Sequence, residues 1–292
     1  MSSTSRLGAR EAARHLLARV RVAREAGLDS LSFGDSHTRA SVRYFQNTPT
    51  LGRALAEWDP ARPAGCLFLL PMWPPVLVAE QVGTLAAFHD GPFIVQTGLG
   101  DQRAFARFGA RVEHRGDALD ESIRVIRGLF AGETVSSERF GVDAATIDLI
   151  PPDGVDWWIG TMSSAGVDRA ARLGAVWYAS HGAGGRLAAL AERYRSACDQ
   201  HGTEPRIAVR RDAIVLDDGE RARALADQAL SSGYRNMTRD MLIAGSPDDV
   251  AGELEPLRAA GIAEVVCRTM GVAPDVDLAT IEGLGRVRSS VG

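Results

Sequence analysis

An acid, a hydroxyl and an imidazole stand together at Asp35, Ser36 and His37, just after the apolar run Leu28 to Gly34. Imidazole titrates near neutrality, so His37 suits proton transfer or the steadying of developing negative charge. Strand ends in α/β proteins are where ligands bind. A plain turn, with Asp35 capping the next segment and His37 in solvent, uses the same residues. A metal pair Asp-x-His is a third use, but no third ligand motif accompanies it.

Five other places carry chemistry-bearing types. Gly160-Thr161-Met162-Ser163-Ser164 joins a strand to a helix and offers backbone N–H groups and hydroxyls, the parts of an anion site or of a simple helix cap. Trp157 and Trp158 precede it, one expected in the core and one beside a pocket. Gly98-Leu99-Gly100-Asp101 ends an apolar strand; it lets a ligand approach the backbone, or it makes a turn, and it lacks the third glycine of a dinucleotide fingerprint. Gly65-Cys66 opens a core strand, where the thiol reads as buried. Arg268-Thr269 ends the last strand; the arginine serves an anion or a structural ion pair equally well. His181 and Gly182 follow another strand, whereas His15, His89, His114 and His201 read as surface or helix-end residues.

Helices and strands alternate to position these groups. Ala13, Leu16, Leu17, Val20 and Ala23 form a helical stripe that Gly27 ends. Pro75 opens a helix to about Phe88, and Leu119, Ile123, Ile126 and Phe130 mark another. Ser246-Pro247-Asp248-Asp249 is a helix start with a hydroxyl cap and acids in the first turn. Strands are expected near residues 31, 67, 95, 158, 177, 210 and 266, seven in all. Strand–helix alternation implies a parallel sheet with crossover helices. Residues 131–156 read as an irregular insertion into a single domain spanning 1–292.

Composition narrows the function. The 292 residues are 45% hydrophobic and 24% charged, with a net charge of −4. No basic tract points to nucleic acid or to a membrane surface. All 33 basic residues other than histidine are arginine, so no lysine Schiff base can form. Three cysteines far apart argue against disulfides and structural zinc. The opening MSSTSRLGAR has no apolar signal core, so a cytoplasmic protein is expected.

Four blocks resemble the luciferase-like monooxygenases and their deazaflavin-dependent relatives. They are REAGLDSLSFGDS, PPVLVAEQVGTLAAFHDGPFIVQTGLG, RGDALDESIRVIRGLFAGETV and WWIGTMSSAGVDRAARLGAVWY, in that order, within a likeness running from about Glu11 to the C-terminus. The resemblance implies an α/β fold, a (β/α)8 TIM-barrel-like parallel sheet binding FMN or coenzyme F420 at the carboxyl ends of its strands. Family members begin with an apolar strand; here polar MSSTSRLG stands instead, so the first strand is expected to be missing or atypical. Carried over by position, Asp35 would hydrogen-bond the cofactor and His37 would donate the proton. Gly65-Cys66 would lie on a bulged strand, often with a non-proline cis peptide, against the ring. Gly98 and Gly100 would let the cofactor approach. Gly160, Thr161, Met162 and Ser163 would receive the cofactor phosphate. The family's common pattern has Asp and His adjacent, whereas Ser36 intervenes here. GDSH resembles the F420 branch, which implies hydride transfer to a C=C, C=N or C=O bond of a small organic substrate. Two other outcomes are a two-component FMN monooxygenase and a non-catalytic flavin-binding barrel. The resemblance also implies a homodimer.

Overall fold

The computed structural model describes residues 3–4, 7–38, 43–108, 113–179 and 184–291. His181 and Gly182 lie outside them. The chain forms two compact units, Ser30–Trp158 and Ser3–Asp29 with Ile159–Gly292.

In the unit Ser30–Trp158, strands β1 (Leu31–Phe33), β2 (Ala64–Phe68) and β3 (Phe93–Gly98) lie side by side in parallel. Strand β4 (Asp156–Gly160) follows β3 in the order. Phe33, Cys66 and Val95 are level and all fully buried, which places one apolar face of the sheet against the helices. Ser32, Gly65 and Ile94 are level on the opposite face. Among the described residues this unit holds the α-helices α2 (Asn47–Leu55), α3 (Pro75–Ala87), α4 (Gln102–Phe108) and α5 (Arg115–Phe130). Pro75 opens α3 in the first turn, where its missing N–H costs nothing. The stretch 131–156 is not wholly irregular: Val135–Ser137 and Val142–Ala145 pair as an antiparallel hairpin.

The other unit begins with α1 (Ala9–Glu25), whose buried stripe includes Ala12, Leu16, Val20 and Ala23. Gly27 takes φ +74°, and the N–H of Leu28 donates back to the Ala23 carbonyl, so glycine ends the helix as its position predicts. Strands β5 (Val176–Ala179), β6 (Ile207–Val215), β7 (Leu242–Gly245) and β8 (Glu264–Thr269) alternate with α6 (Ser164–Arg172), α7 (Gly184–His201), α8 (Gly219–Ser231), α9 (Pro247–Ala259) and α10 (Pro274–Val291). Nine-residue β6 is long enough to hold three parallel neighbours: β5 along Ile207–Val209, β7 along Asp212–Val215, and β8 along Ala208–Ala213. Ser246 and Asp249 close a reciprocal capping box at the start of α9, as the residue types predict.

Two differences from the sequence expectation stand out. The described residues hold eight parallel strands, not seven; the extra one is β7, whose four residues follow a short 3-10 turn with no glycine or proline ahead of them. Ser3–Thr4 is a two-residue strand outside the parallel sheet, so the sheet starts after α1, and the first strand is atypical as expected.

Gly65 shows how tightly β2 and β3 approach. A Cβ there would lie 1.9 Å from the Ile94 carbonyl oxygen and 2.7 Å from the Ile94 Cβ. Backbone cannot step aside as a flexible side chain does. Gly65→Ala is expected to reach the top of the ~1–3 kcal/mol range for overpacking, a fall in Tm of roughly 6–12 °C. Differential scanning calorimetry checks it; an unchanged Tm would mean the two strands part freely.

Candidate functional site

Asp35 and His37 sit just past the carboxyl end of β1, and both are 7% exposed. Neither is the solvated turn residue that the sequence left open. Asp35 Oδ2 accepts from the Leu69 N–H at 2.9 Å and from Trp73 Nε1 at 2.8 Å. Asp35 Oδ1 stands 2.9 Å from His37 Nε2, so the carboxylate and the imidazole are in direct contact. The two atoms are out of line for a hydrogen bond, and both are buried with no other partner. The His37 ring packs against Phe108 at 4.4 Å and Trp73 at 5.5 Å between centroids. Trp73 in turn meets Phe68 edge-on at 5.7 Å.

Local rules build this arrangement. Parallel register brings the ends of β1, β2 and β3 together, so the residues following each strand become neighbours. Thr38 turns the chain at φ +54° directly after His37. Trp73 precedes Pro74 and is extended, φ −114° and ψ 141°, the conformation that a following proline favours. Leu69, Trp73 and Phe108 were not singled out from sequence; for Trp73, the proline pair was the available signal.

Gly65 and Cys66 lie on β2, which pairs in unbroken register with β3. The bulge and cis peptide implied for this strand are absent: the register holds, and no cis bond occurs among the described residues. The need for glycine at Gly65 comes from the Ile94 carbonyl. Burial, and then the Asp35 carboxylate, push the Cys66 thiol far up, so it supplies no thiolate.

On the face shared by Ser32 and Gly65, the Ser32 hydroxyl donates to Gln96 Oε1 at 2.9 Å, passing the side-chain-free Gly65. Gln96 is 3% exposed, and its Nε2 is buried without a hydrogen-bond partner. An amide left with unused donors is costly unless something polar meets it. Beyond it, Gly98 ends β3 buried. Gly100 takes φ +71°, where a Cβ would lie 3.0 Å from the Phe105 ring. Arg115 donates to the Gly100 carbonyl at 2.8 Å and lies over the Phe105 ring. The Gly98–Gly100 turn is thus a fixed corner.

The turn Gly160–Ser164 belongs to the other unit. Thr161 is fastened by its N–H to the Tyr178 carbonyl and by Trp177 Nε1, which donates to the Thr161 carbonyl at 2.9 Å. Ser163 is the cap of α6; its hydroxyl accepts from the Gly166 N–H at 3.2 Å, and its own N–H donates to Thr161 Oγ1 at 3.1 Å. Gly166 is required here, since a Cβ would fall 2.1 Å from Thr161 Oγ1. Ser163, Ser164 and Ala165 are exposed at the helix start, where the first N–H groups point outward. Arg186 of α7 donates to the Met162 carbonyl at 2.7 Å, placing a guanidinium beside this turn. Its sequence neighbourhood carried no sign of that role.

Other expectations resolve differently. Trp157 and Trp158 are both buried; Trp157 lies under the Arg127 guanidinium at 5.5 Å, and Trp158 donates to Asp156 at 2.8 Å. Arg268 is in the ion-pair range of Asp212, at 3.7 Å, and Thr269 Oγ1 accepts from Arg19 at 3.3 Å. His15 is neither a surface nor a helix-end residue, whereas His89 lies just past the end of α3, as expected, but is buried. His15 falls on the buried stripe of α1 and meets Asp277 at 3.3 Å; His89 meets the Arg62 carbonyl at 2.8 Å. Burial lowers the His89 pKa. No group of three metal-ligating side chains occurs among the described residues, and no helix there is long and apolar enough to cross a membrane.

The sequence model of the family described as luciferase-like monooxygenase matches residues 1–238. No curated protein matches the chain. Solved structures with the same fold include three at low identity. Monooxygenase RslO1 from Streptomyces bottropensis is 17% identical, with TM-score 0.80 over 97% of this chain and 94% of that one. The oxygenating constituent of 3,6-diketocamphane monooxygenase from Pseudomonas putida, in complex with FMN, is 16% identical, with TM-score 0.82 over 96% and 93%. The coenzyme F420 dependent tetrahydromethanopterin reductase from Methanopyrus kandleri is 16% identical, with TM-score 0.78 over 96% of each chain. The likeness establishes an α/β, TIM-barrel-like fold class.

Proposed function

The chain belongs to the luciferase-like monooxygenase family, whose enzymes are flavin- or deazaflavin-dependent oxidoreductases, and from that premise we propose that it works with reduced coenzyme F420 on a small organic substrate. The observation that carries this reading is the buried pair Asp35–His37 at the carboxyl end of β1, walled by Trp73 and Phe108. Such a pair suits a reduction that ends with a proton. The F420-dependent reductase of the same fold supports it by analogy of architecture.

The residues present fit a cofactor of this type. The unpartnered amide Nε2 of Gln96 suits a ring carbonyl, and Ser32 fixes the orientation of that amide. The start of α6, with Thr161, Met162, Ser163 and Arg186, suits a phosphate. The family resemblance assigns Gly65, Cys66, Gly98, Gly100 and Gly160 to the backbone that would border the cofactor. Bound in its reduced form, coenzyme F420 supplies a hydride.

The chain's own residues do the rest. Asp35 is a positioning residue: its Oδ2 holds the Leu69 N–H and the Trp73 indole, and its Oδ1 faces His37. With Nε2 turned toward that carboxylate, Nδ1 is the ring nitrogen left to carry a transferable proton. His37 delivers that proton to the atom of the substrate C=C, C=N or C=O bond that does not take the hydride. Trp73 and Phe108 keep water away from the imidazole. A cytoplasmic homodimer is part of the same proposal.

The second reading, a two-component FMN monooxygenase, is favoured by the FMN complex of similar fold. Titrating the protein separately with F420 and FMN, followed by anaerobic turnover, separates the two. Tight F420 binding and substrate reduction without oxygen are expected. FMN binding with oxygen-dependent turnover would replace this reading by the second.

A further inference from the structure

Five side chains converge where β6 and β8 lie together. Asp212 of β6 is fully buried, at 0% exposure. Its Oδ1 lies 3.2 Å from Arg210 Nε. Its Oδ2 lies 3.7 Å from both Arg235 Nε and Arg268 Nη1, and accepts the Tyr234 hydroxyl proton at 2.8 Å. Strand geometry builds half of this group. Arg210 and Asp212 are two apart on β6 and share a face, and Asp212 is level with Arg268 on β8. The turn after α8 supplies Tyr234 and Arg235. There Gly233, Arg235 and Asn236 take φ of +77°, +51° and +54°. Non-glycine residues rarely adopt that conformation, and it persists where surroundings enforce it.

The charges of this group do not balance. Three guanidinium groups surround one carboxylate. Arg210 Nη2 is buried with no hydrogen-bond partner, and its Nε, though near Asp212, is out of line for one. Burial, with the guanidinium groups of Arg268 and Arg210, pushes the Arg235 pKa down to about 10. A single carboxylate therefore leaves the Arg210 donors unused and like charges facing each other. A second anion would relieve both costs. Arg235 is 39% and Arg268 25% exposed, so the group is open to solvent.

We propose that Arg210, Arg235 and Arg268 form a binding site for an oxyanion, the phosphate or carboxylate of a small molecule, with Asp212 and Tyr234 holding the guanidinium groups in place. Planar guanidinium forks match paired oxygens, and several converging on one point select an anion over a neutral group. The site does not depend on which cofactor the enzyme uses.

The test uses inorganic phosphate as the probe, by isothermal titration at low salt. It is run in the Ser163→Asp background, so that the turn before α6 does not contribute. Saturable binding is expected, weakened by added sodium chloride. Adding Arg235→Gln or Arg268→Gln should weaken it about 10- to 100-fold, the worth of one charge-assisted contact. Arg235 lies in a partly exposed turn, so its variant decides alone if Arg268→Gln does not fold. No saturable binding, or equal binding with and without Arg235, overturns the proposal. A second titration, of Arg235→Gln with F420 and FMN, identifies the source and rests on the function proposed above. Weakened cofactor binding assigns the oxyanion to the cofactor; parent-like binding assigns it to another small molecule. Either result presupposes the phosphate result and upholds the site.

Discussion

His37→Ala is expected to lower the single-turnover rate with saturating reduced cofactor by roughly 100- to 10,000-fold, the range a positioned acid contributes. Cofactor affinity should change little, because the imidazole is turned to Asp35 and packed between aromatic rings. The substitution also leaves buried Asp35 Oδ1 without its imidazole neighbour and opens space beside Phe108, so some loss of stability is expected. A Tm measured beside the rate separates the two effects. Asp35→Asn is the companion. It keeps an oxygen for the Leu69 N–H and the Trp73 indole, but removes the charge that faces His37. A smaller rate loss than in His37→Ala, with an altered pH profile, marks Asp35 as positioning. A His37→Ala enzyme that turns over at the parent rate would move the proton donor elsewhere.

Ser163→Asp is expected to weaken cofactor binding by at least tenfold and by up to about a thousandfold. Aspartate caps a helix about as well as serine, so α6 should keep its start and the protein its stability. What changes is charge. Ser163 is exposed, so water screens part of the repulsion. Two unit charges about 4 Å apart repel by about 1 kcal/mol in open water and about 4 kcal/mol at an effective dielectric of 20. A bound phosphate displaces water from the turn and moves the interaction toward the larger figure. Ser163→Ala is the control: it removes the acceptor of the Gly166 N–H, costing about 1 kcal/mol of stability, but adds no charge. Equal cofactor affinity in parent and Ser163→Asp would place the phosphate away from α6.

Much of the fold was legible because its signals are local. The stripe of α1, the proline start of α3 and the capping box of α9 each lie within one or two helical turns. β7 was missed for the converse reason. Its four residues are too few to show a period, and what makes them a strand is pairing with Asp212–Val215 of β6. His15 was misplaced although it sits on a periodic stripe, because a histidine there is buried only when Asp277 of α10 meets it.

The candidate site divides along the same line. Sequence alone determined that Asp35 and His37 follow a strand, that Ser163 starts a helix, and that no lysine is available for chemistry. Only the tertiary structure decided what these residues meet. Trp73 lies 38 residues from Asp35, Gln96 lies 64 from Ser32, and Arg186 lies 24 from Met162. Parallel strands need a crossover of a dozen residues or more between neighbours. Side chains from neighbouring strands that touch at the strand ends are therefore distant in the chain, beyond the reach of any local pattern. The same holds for Asp212, drawn among Arg210, Arg235 and Arg268 by the register of β6 and β8 and by a left-handed turn.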